Sequence, residues 1–169
     1  MKEIGLTRGQ VTQVDDEDFE YLNQFKWYAF KKAYTYYAVR YIYGNNTQKA
    51  ILMHRQIMNV PKGLETDHKD HNGLNNQKIN LRICTHGENQ RNRKSSINGT
   101  SKYLGVNKVI CKRKYKNKIY LYTYYTASIT INGKPKNVNM TKTEIQAAKA
   151  YDKAAKKYHG EFANLNFKE

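Results

Sequence analysis

Residues 66–92, TDHKDHNGLNNQKINLRICTHGENQRN, gather side chains from which a hydrolytic site can be built. Asp67 and His68 are adjacent, Asn80 follows His68 by twelve residues, and Asn89 follows Asn80 by nine. Carboxylate and amide oxygens suit a hard cation such as Mg²⁺, which takes few protein ligands and leaves its other positions to water and phosphate. An imidazole beside such an ion titrates near neutrality and can take a proton from water. Base, cation and phosphate together are what phosphodiester hydrolysis requires. The same composition also suits a loop, because Asn, Asp and Gly are turn-formers. On that reading Asn72-Gly73 makes the turn, while Asn75 and Asn76 stabilise it through bonds to nearby backbone. His71 reads as solvated, and His54, His86 and His159 as structural or surface residues. The paired soft ligands of a zinc-structured finger are missing.

The elements around this stretch read as strand, loop, strand, helix: strands over 64–68 and 79–84, a loop between them, and a helix from Thr85 or His86 to about Lys94. Upstream, 2–14 reads as two short strands around a turn at Arg8-Gly9. Residues 15–25 form a short helix with acids in its first turn and Phe19, Leu22 and Phe25 on its buried side. The aromatic and β-branched run 26–44 reads as extended up to a turn at Gly44-Asn45-Asn46, and 48–58 continues it into a short helix from His54. Downstream, 103–110, 119–131 and 136–140 read as strands, with Asn132-Gly133 as a hairpin turn. The run 112-KRKYKNK-118 reads as a cationic hairpin tip. Residues 142–160 form a helix with Ile145, Ala148, Tyr151, Ala155 and Tyr158 on the packed side, a threonine cap at 141 or 143, and Gly160 at its end. Phe162, Leu165 and Phe167 supply an apolar clasp in the tail.

Charge divides the chain. It has 169 residues, 30 Lys plus Arg and 14 acids, a net +16. Residues 1–90 hold 12 basic and 10 acidic side chains, and 91–169 hold 18 and 4, so nearly all the attraction for a polyanion lies in the second half. No apolar run reaches the ~20 residues of a membrane span, and the first residues lack a signal peptide's apolar core. Cys84 and Cys111 have no paired spacing and read as packing residues in a reducing cytoplasm. Residues 95–101, polar and poor in apolar side chains, read as a linker.

The Asp67-His68 dyad, 75-NN-76, 80-NLR-82 and Asn89, preceded by 51-ILMHRQIM-58 and 62-KGLETDH-68, resemble the HNH endonucleases of the ββα-metal superfamily, in their phage and intron homing branch. The resemblance covers about 52–94 and implies roles. His68 would be the general base, Asp67 and Asn89 would hold one divalent metal (Mg²⁺, with Mn²⁺ the alternative), and Asn80 would brace the finger and orient His68. It implies a duplex-DNA partner and cleavage of one strand or both. It places the activity in the cytoplasm, at the nucleoid of a bacterial or phage-infected cell, with monomer and dimer both open. On a regular strand, neighbours point to opposite faces, so Asp67 and His68 serve one site only where the strand ends or bulges.

The second half resembles a different family, the Apetala-type (ethylene-response-factor) DNA-binding domain, through 103-YLGV-106, 127-ASI-129, 147-AAKAYDKAAKKYHG-160 and 161-EFANLNF-167. That family lays a three-stranded sheet in the major groove with a helix behind it. Lys112, Arg113, Tyr125, Lys134 and Lys136 would be DNA contacts, joined by Lys114 and by Arg91 and Arg93 beside the nuclease helix. The chain departs from the family at Leu104, usually basic, at Tyr125, near which a tryptophan is usual, and at 138-VNMT-141, where Leu-Gly-x-Phe is usual. The reading is therefore an α+β chain. A nuclease domain over 1–94 contains the ββα-metal core and is joined through 95–101 to a sheet-on-helix domain over 102–169. The alternative is a non-catalytic, sequence-specific DNA-binding protein with a relic finger. RNA as the polyanion stays open on charge alone.

Overall fold

A computed structural model describes residues 1–32, 34–44, 47–93 and 99–167. The chain has a mixed α+β fold, with four antiparallel sheets among the described residues. It divides into two compact units, Met1–Asn89 and Gln90–Glu169. Residues 95–98 of the expected linker lie outside the described residues, as do Asn45 and Asn46 of the expected turn. Among the described residues no helix is long and apolar enough to cross a membrane.

The first unit opens with β1 (Lys2–Gly5) paired to β2 (Val11–Val14), and the connection turns through Arg8 and Gly9 at φ 61° and 64°. Helix α1 (Asp16–Leu22) carries Asp16, Glu17 and Asp18 in its first turn, where carboxylates complement the helix dipole. A three-stranded sheet follows, β3 (Tyr28–Lys32), β4 (Thr35–Gly44) and β5 (Thr47–Leu52), and then α2 (Met53–Ile57). Ile4, Val14, Leu22, Trp27, Ala38 and Met53 form the core of this unit. Trp27 buries its ring without orphaning its N–H, because Nε1 donates to the Leu22 carbonyl at 2.8 Å. The run 26–44 is two paired strands and not one extended segment, with Lys32 of β3 opposite Thr35 of β4. Neither intervening residue is a Gly, Asn, Asp or Pro, which is why turn chemistry did not mark the place. The unit closes with β6 (Glu65–His68), β7 (Leu81–Cys84) and α3 (His86–Arg91), the last crossing into the second unit.

In the second unit β8 (Val106–Tyr115), β9 (Lys118–Ile131) and β10 (Lys134–Thr141) form a sheet with β9 in the middle, and α4 (Glu144–His159) covers one face. Thr143 caps α4 by accepting from the Gln146 N–H, and the helix ends at Gly160 with φ 56°. The packed side of α4 is Ala147, Ala148, Tyr151, Ala154 and Ala155, set against Leu104, Val106, Ala127 and Ile129. Two expected members are corrected: Ile145 and Tyr158 are exposed, and His159 is buried, its Nε2 within 3.0 Å of the Thr130 carbonyl. Ile145 and Tyr158 are each one residue from an end of α4, and at the C-terminal end it is His159, not Tyr158, that turns to the sheet. Asp152, also buried, clasps the tail by accepting from the backbone N–H groups of Asn166 and Phe167. Of the expected clasp, Leu165 packs on the core, while Phe167 meets the ring of Tyr103 at the rim.

Gly105, just before β8, lies against the Tyr151 ring of α4. Its φ is +71°, and a Cβ there would lie 2.1 Å from the Tyr151 ring and 2.8 Å from the Ser128 carbonyl. Gly105→Ala should therefore combine a left-handed backbone with overpacking and cost at least about 2 kcal/mol. A denaturant midpoint equal to wild type would show that the close approach relaxes freely.

The cationic run is also corrected. Lys112, Arg113, Lys114 and Tyr115 belong to β8, and the turn is Lys116-Asn117, at φ 43° and 59°. Both central residues take positive φ, as a two-residue hairpin turn demands, so the cations line an extended arm and not a loop.

Candidate functional site

β6 and β7 pair with Glu65 opposite Cys84, Thr66 opposite Ile83, Asp67 opposite Arg82 and His68 opposite Leu81. The helix α3 that follows starts at a reciprocal cap: Thr85 accepts from the Glu88 N–H, and the Glu88 carboxylate accepts from the Thr85 N–H and hydroxyl. Between the strands the chain turns through Asp70, Asn72 and Asn75, whose side-chain oxygens accept from backbone N–H groups two residues on, that of Gln77 at 3.5 Å being the longest. Gly73 lets this loop pass close to β4, since a Cβ would lie 2.5 Å from the Tyr36 carbonyl.

His68 stands at the last position of β6, buried, with its ring edge-on to His54 at 5.0 Å and to Tyr37 at 5.8 Å between centroids. A chain of polar groups fixes its tautomer. The Thr12 hydroxyl donates to the Leu74 carbonyl at 2.8 Å, so its oxygen accepts from Asn76 Nδ2 at 2.7 Å. Asn76 therefore presents Oδ1 to His68 Nε2, 3.2 Å away, and Nε2 carries the proton. The basic lone pair of the neutral ring is then on Nδ1. Burial, the largest influence, holds the imidazole below its ordinary pKa, against the bond to Asn76 and the charges of Asp70 and Asp67.

Asn76 corrects the turn reading: it is fully buried and bonds to side chains on both sides. Asn80, expected to brace the finger and to orient His68, bonds within the loop that follows β6. Its Nδ2 donates to Asp70 Oδ1 at 3.0 Å and to the Asn75 carbonyl at 2.9 Å, and its Oδ1 accepts from the Asp70 N–H. His71 is half-buried in the loop at φ 64°.

Glu65 and Asp67 are two residues apart on β6 and share the face away from His68. Glu65 tethers α3 over that face, accepting from Asn89 Nδ2 at 2.6 Å and meeting His86 Nδ1 at 2.8 Å; these bonds, that to Asn89 first, lower its pKa. With its nitrogen spent on Glu65, Asn89 can offer only its amide oxygen. Asp67 is buried, and Arg82 donates to its Oδ2 through Nε at 2.8 Å and Nη2 at 2.6 Å. A carboxylate has lone pairs enough on two oxygens to serve a guanidinium and a cation together. The donors thus fit a hard divalent ion. Among the described residues no three or more His, Cys, Asp or Glu gather as a metal cage. One carboxylate with one amide is instead an open set, leaving room for water and phosphate. Asp67 and Glu65, to which Asn89 is bonded, are on one face of β6, and His68 is on the other at the strand's end.

Sequence reasoning missed Thr12, Tyr37, His54, Asn76, Glu65 and Arg82. The last two were open to discovery through antiparallel alternation, but nothing in the local pattern marks Thr12 or Asn76 as buried.

His54 has a measurable consequence. It is buried, its Nδ1 has no hydrogen-bond partner among the described residues, and its pKa is pushed down to about 3, chiefly by burial and then by the neighbouring His68, Arg55 and Lys32. A histidine with a depressed folded-state pKa contributes stability that is intact above its unfolded value, ~6.5, and declines as pH falls towards the folded one. Each pH unit in that window should cost up to about 1.4 kcal/mol. Urea midpoints at about pH 7 and pH 5 should differ for wild type and differ less for His54→Phe. Equal pH slopes in the two proteins would remove His54 from the cause.

Residues facing each other across an antiparallel pair share a face, which sorts the DNA-contact candidates of the second unit. Lys112 pairs with Leu121, Lys114 with Ile119, Lys134 with Ile131 and Lys136 with Ile129, and Tyr125 packs on the core, so all five lie on the α4 side. Lys136 in fact lies over the ring of Tyr158 in α4, 5.5 Å from its centroid. Arg113, paired with Tyr120, is on the opposite face. Arg91 ends α3, and Arg93 lends its carbonyl to Asn164 Nδ2 at 2.8 Å. Neither cysteine forms a disulfide.

No family model matches the chain, and no solved structure matches it. Among curated proteins it is similar to one of Acanthamoeba polyphaga mimivirus named "Uncharacterized HNH endonuclease L560". The identity is 31% over an alignment that covers 96% of this chain and 78% of that protein.

Proposed function

The chain belongs to the HNH endonuclease family, and from that membership we propose that it is a metal-dependent DNA endonuclease of homing type, hydrolysing phosphodiester bonds in duplex DNA by nicking or by double-strand cutting. The observation that carries the reading is the Leu74–Thr12–Asn76–His68 chain of hydrogen bonds, which leaves a neutral imidazole with its basic nitrogen defined. A buried ring bonded to Asn76, whose own amide is fixed by Thr12 and through it by the Leu74 carbonyl, is arranged as a base is arranged, with little freedom to turn.

In the reaction His68 Nδ1 takes a proton from water, whose oxygen attacks phosphorus as the bond to the 3′ oxygen breaks. Asp67 and the Asn89 amide oxygen would hold the divalent ion, Mg²⁺ or Mn²⁺, in a ββα-metal finger formed by β6, β7 and α3. When bound, such an ion supplies electrostatic stabilisation of the phosphate and of the departing 3′ oxygen. Asp67 and His68 face opposite ways, but β6 ends at His68, so a phosphate lying across the strand end meets both. Asn80 holds the loop that carries the backbone past this end.

The second unit is the DNA-holding module, with an Apetala-type sheet and helix. Residues 91–169 carry 18 basic against 4 acidic side chains, which supports a phosphate-binding role. Tethering keeps the nuclease at high effective concentration on its substrate. The test is a cleavage assay on random-sequence duplex DNA with Mg²⁺ or Mn²⁺, followed by mapping of the ends. Metal-dependent ends support the reading. Binding without cleavage under either ion overturns it.

A further inference from the structure

The face of the second unit turned away from α4 is unlike the face its cations occupy. Alternation and register place Val109, Cys111, Arg113 and Tyr115 of β8 there, opposite Tyr124, Tyr122, Tyr120 and Lys118 of β9 respectively. Four tyrosines therefore line one side of a two-stranded arm. Before Tyr125, over 118–124, β9 has no β10 partner, so the arm stands clear of the three-stranded part of the sheet. Tyrosine is a good strand former wherever it half-covers a core, but of these rings only Tyr124, nearest the three-stranded part of the sheet, is half-buried. Tyr115, Tyr120 and Tyr122 are 62%, 43% and 42% exposed, and the unit's core lies on the other face, under α4.

We infer that this tyrosine face is a stacking platform for unpaired bases, through which the protein binds single-stranded DNA. Tyr120, Tyr122 and Tyr124 recur every second residue, about 6.6 Å apart along a strand. That is close to twice the ~3.4 Å step between stacked bases, so one base fits between successive rings. Every base has a π-face, which makes such stacking tolerant of sequence. Arg113 lies over the Tyr122 ring at 5.6 Å, and Lys116 over the Tyr115 ring at 5.5 Å, placing cations where a strand following the rings carries its phosphates. Lys118, opposite Tyr115, adds a third. A duplex hides its base faces inside the stack, so these rings have nothing to stack on until a strand is opened. The choice of DNA over RNA rests on the endonuclease reading above, whereas the stacking geometry does not.

The test is a binding measurement on the full chain in EDTA, so that failure of the nuclease reading cannot disturb it. The probes are a fluorescent thymidine homopolymer, a uridine homopolymer and a duplex of equal length. Tyr120→Ala and Tyr122→Ala should each weaken binding to the thymidine strand by about five- to a hundredfold while leaving duplex binding near wild type. Tyr122→Trp, which keeps a ring, should restore it, and Leu121→Ala on the opposite face should change nothing. Tyr122→Thr keeps strand propensity and decides the matter if the alanine variant unfolds. Tyrosine variants that bind the thymidine strand as wild type does, or that lose strand and duplex by one common factor while still folded, overturn the platform. A uridine strand bound more tightly than its thymidine counterpart overturns the assignment to DNA.

Discussion

His68→Ala should bind DNA as the wild type does and fail to cut it. The expected loss in cleavage rate is at least about 10²- to 10⁴-fold, the usual contribution of a positioned base. The side chain is buried and its Nε2 is committed to Asn76, so the ring's remaining chemistry is the lone pair on Nδ1. Burial keeps that nitrogen unprotonated at neutral pH, the state in which it accepts a proton. Removing the ring strands the buried Asn76 oxygen, at a cost of about 1–3 kcal/mol. Cleavage is therefore measured well below the variant's unfolding midpoint, with DNA binding by the same preparation as the control for folding. If His68 only packs against Tyr37 and His54, the alanine variant cuts at the wild-type rate and the general-base assignment is wrong.

The local order of the site was legible because it rests on local chemistry. Thr85 and Glu88 mark the start of α3 through a cap that any isolated helix would use. Asn132-Gly133 supplies the two positive φ angles, 50° and 76°, that the β9–β10 turn needs. What stayed hidden depends on contacts distant in sequence. Asn76 is bonded to Thr12, 64 residues away, and nothing within its own loop distinguishes it from Asn75, which stays near the surface and bonds to Asp70. His54 lies near His68 only because α2 and β6 pack together. On α4, helical periodicity picked out the right stripe in Ala148, Tyr151 and Ala155, but it could not show that His159 and not Tyr158 continues the stripe at the helix end. Between β3 and β4 the sequence offers no Gly, Asn, Asp or Pro, so the pairing of Lys32 with Thr35 had no turn signal to announce it.

The second large effect falls on Arg82. Its guanidinium donates twice to Asp67 Oδ2, and the side chains are 11% and 7% exposed. Arg82→Leu leaves a buried carboxylate without its cation, a change that costs about 3–5 kcal/mol, against ~5–15 kcal/mol for a whole domain. Most of that loss is the stranded charge and not the lost contact, so Asp67→Asn in the Arg82→Leu background should recover much of it. The four proteins form a double-mutant cycle with a large coupling energy. The converse change alone is milder, because Arg82 can turn its long side chain towards water. A divalent cation offers an independent check. If Asp67 is a metal ligand, Mg²⁺ replaces part of the missing positive charge and binds the folded state alone, raising stability by linkage. Thermal midpoints should rise with Mg²⁺ and fall with EDTA by more in Arg82→Leu than in wild type, and by neither in the double variant. An Arg82→Leu protein indifferent to both Asp67→Asn and the cation would mean that Asp67 is not the group left behind, and would sever the ion pair from the proposed metal site.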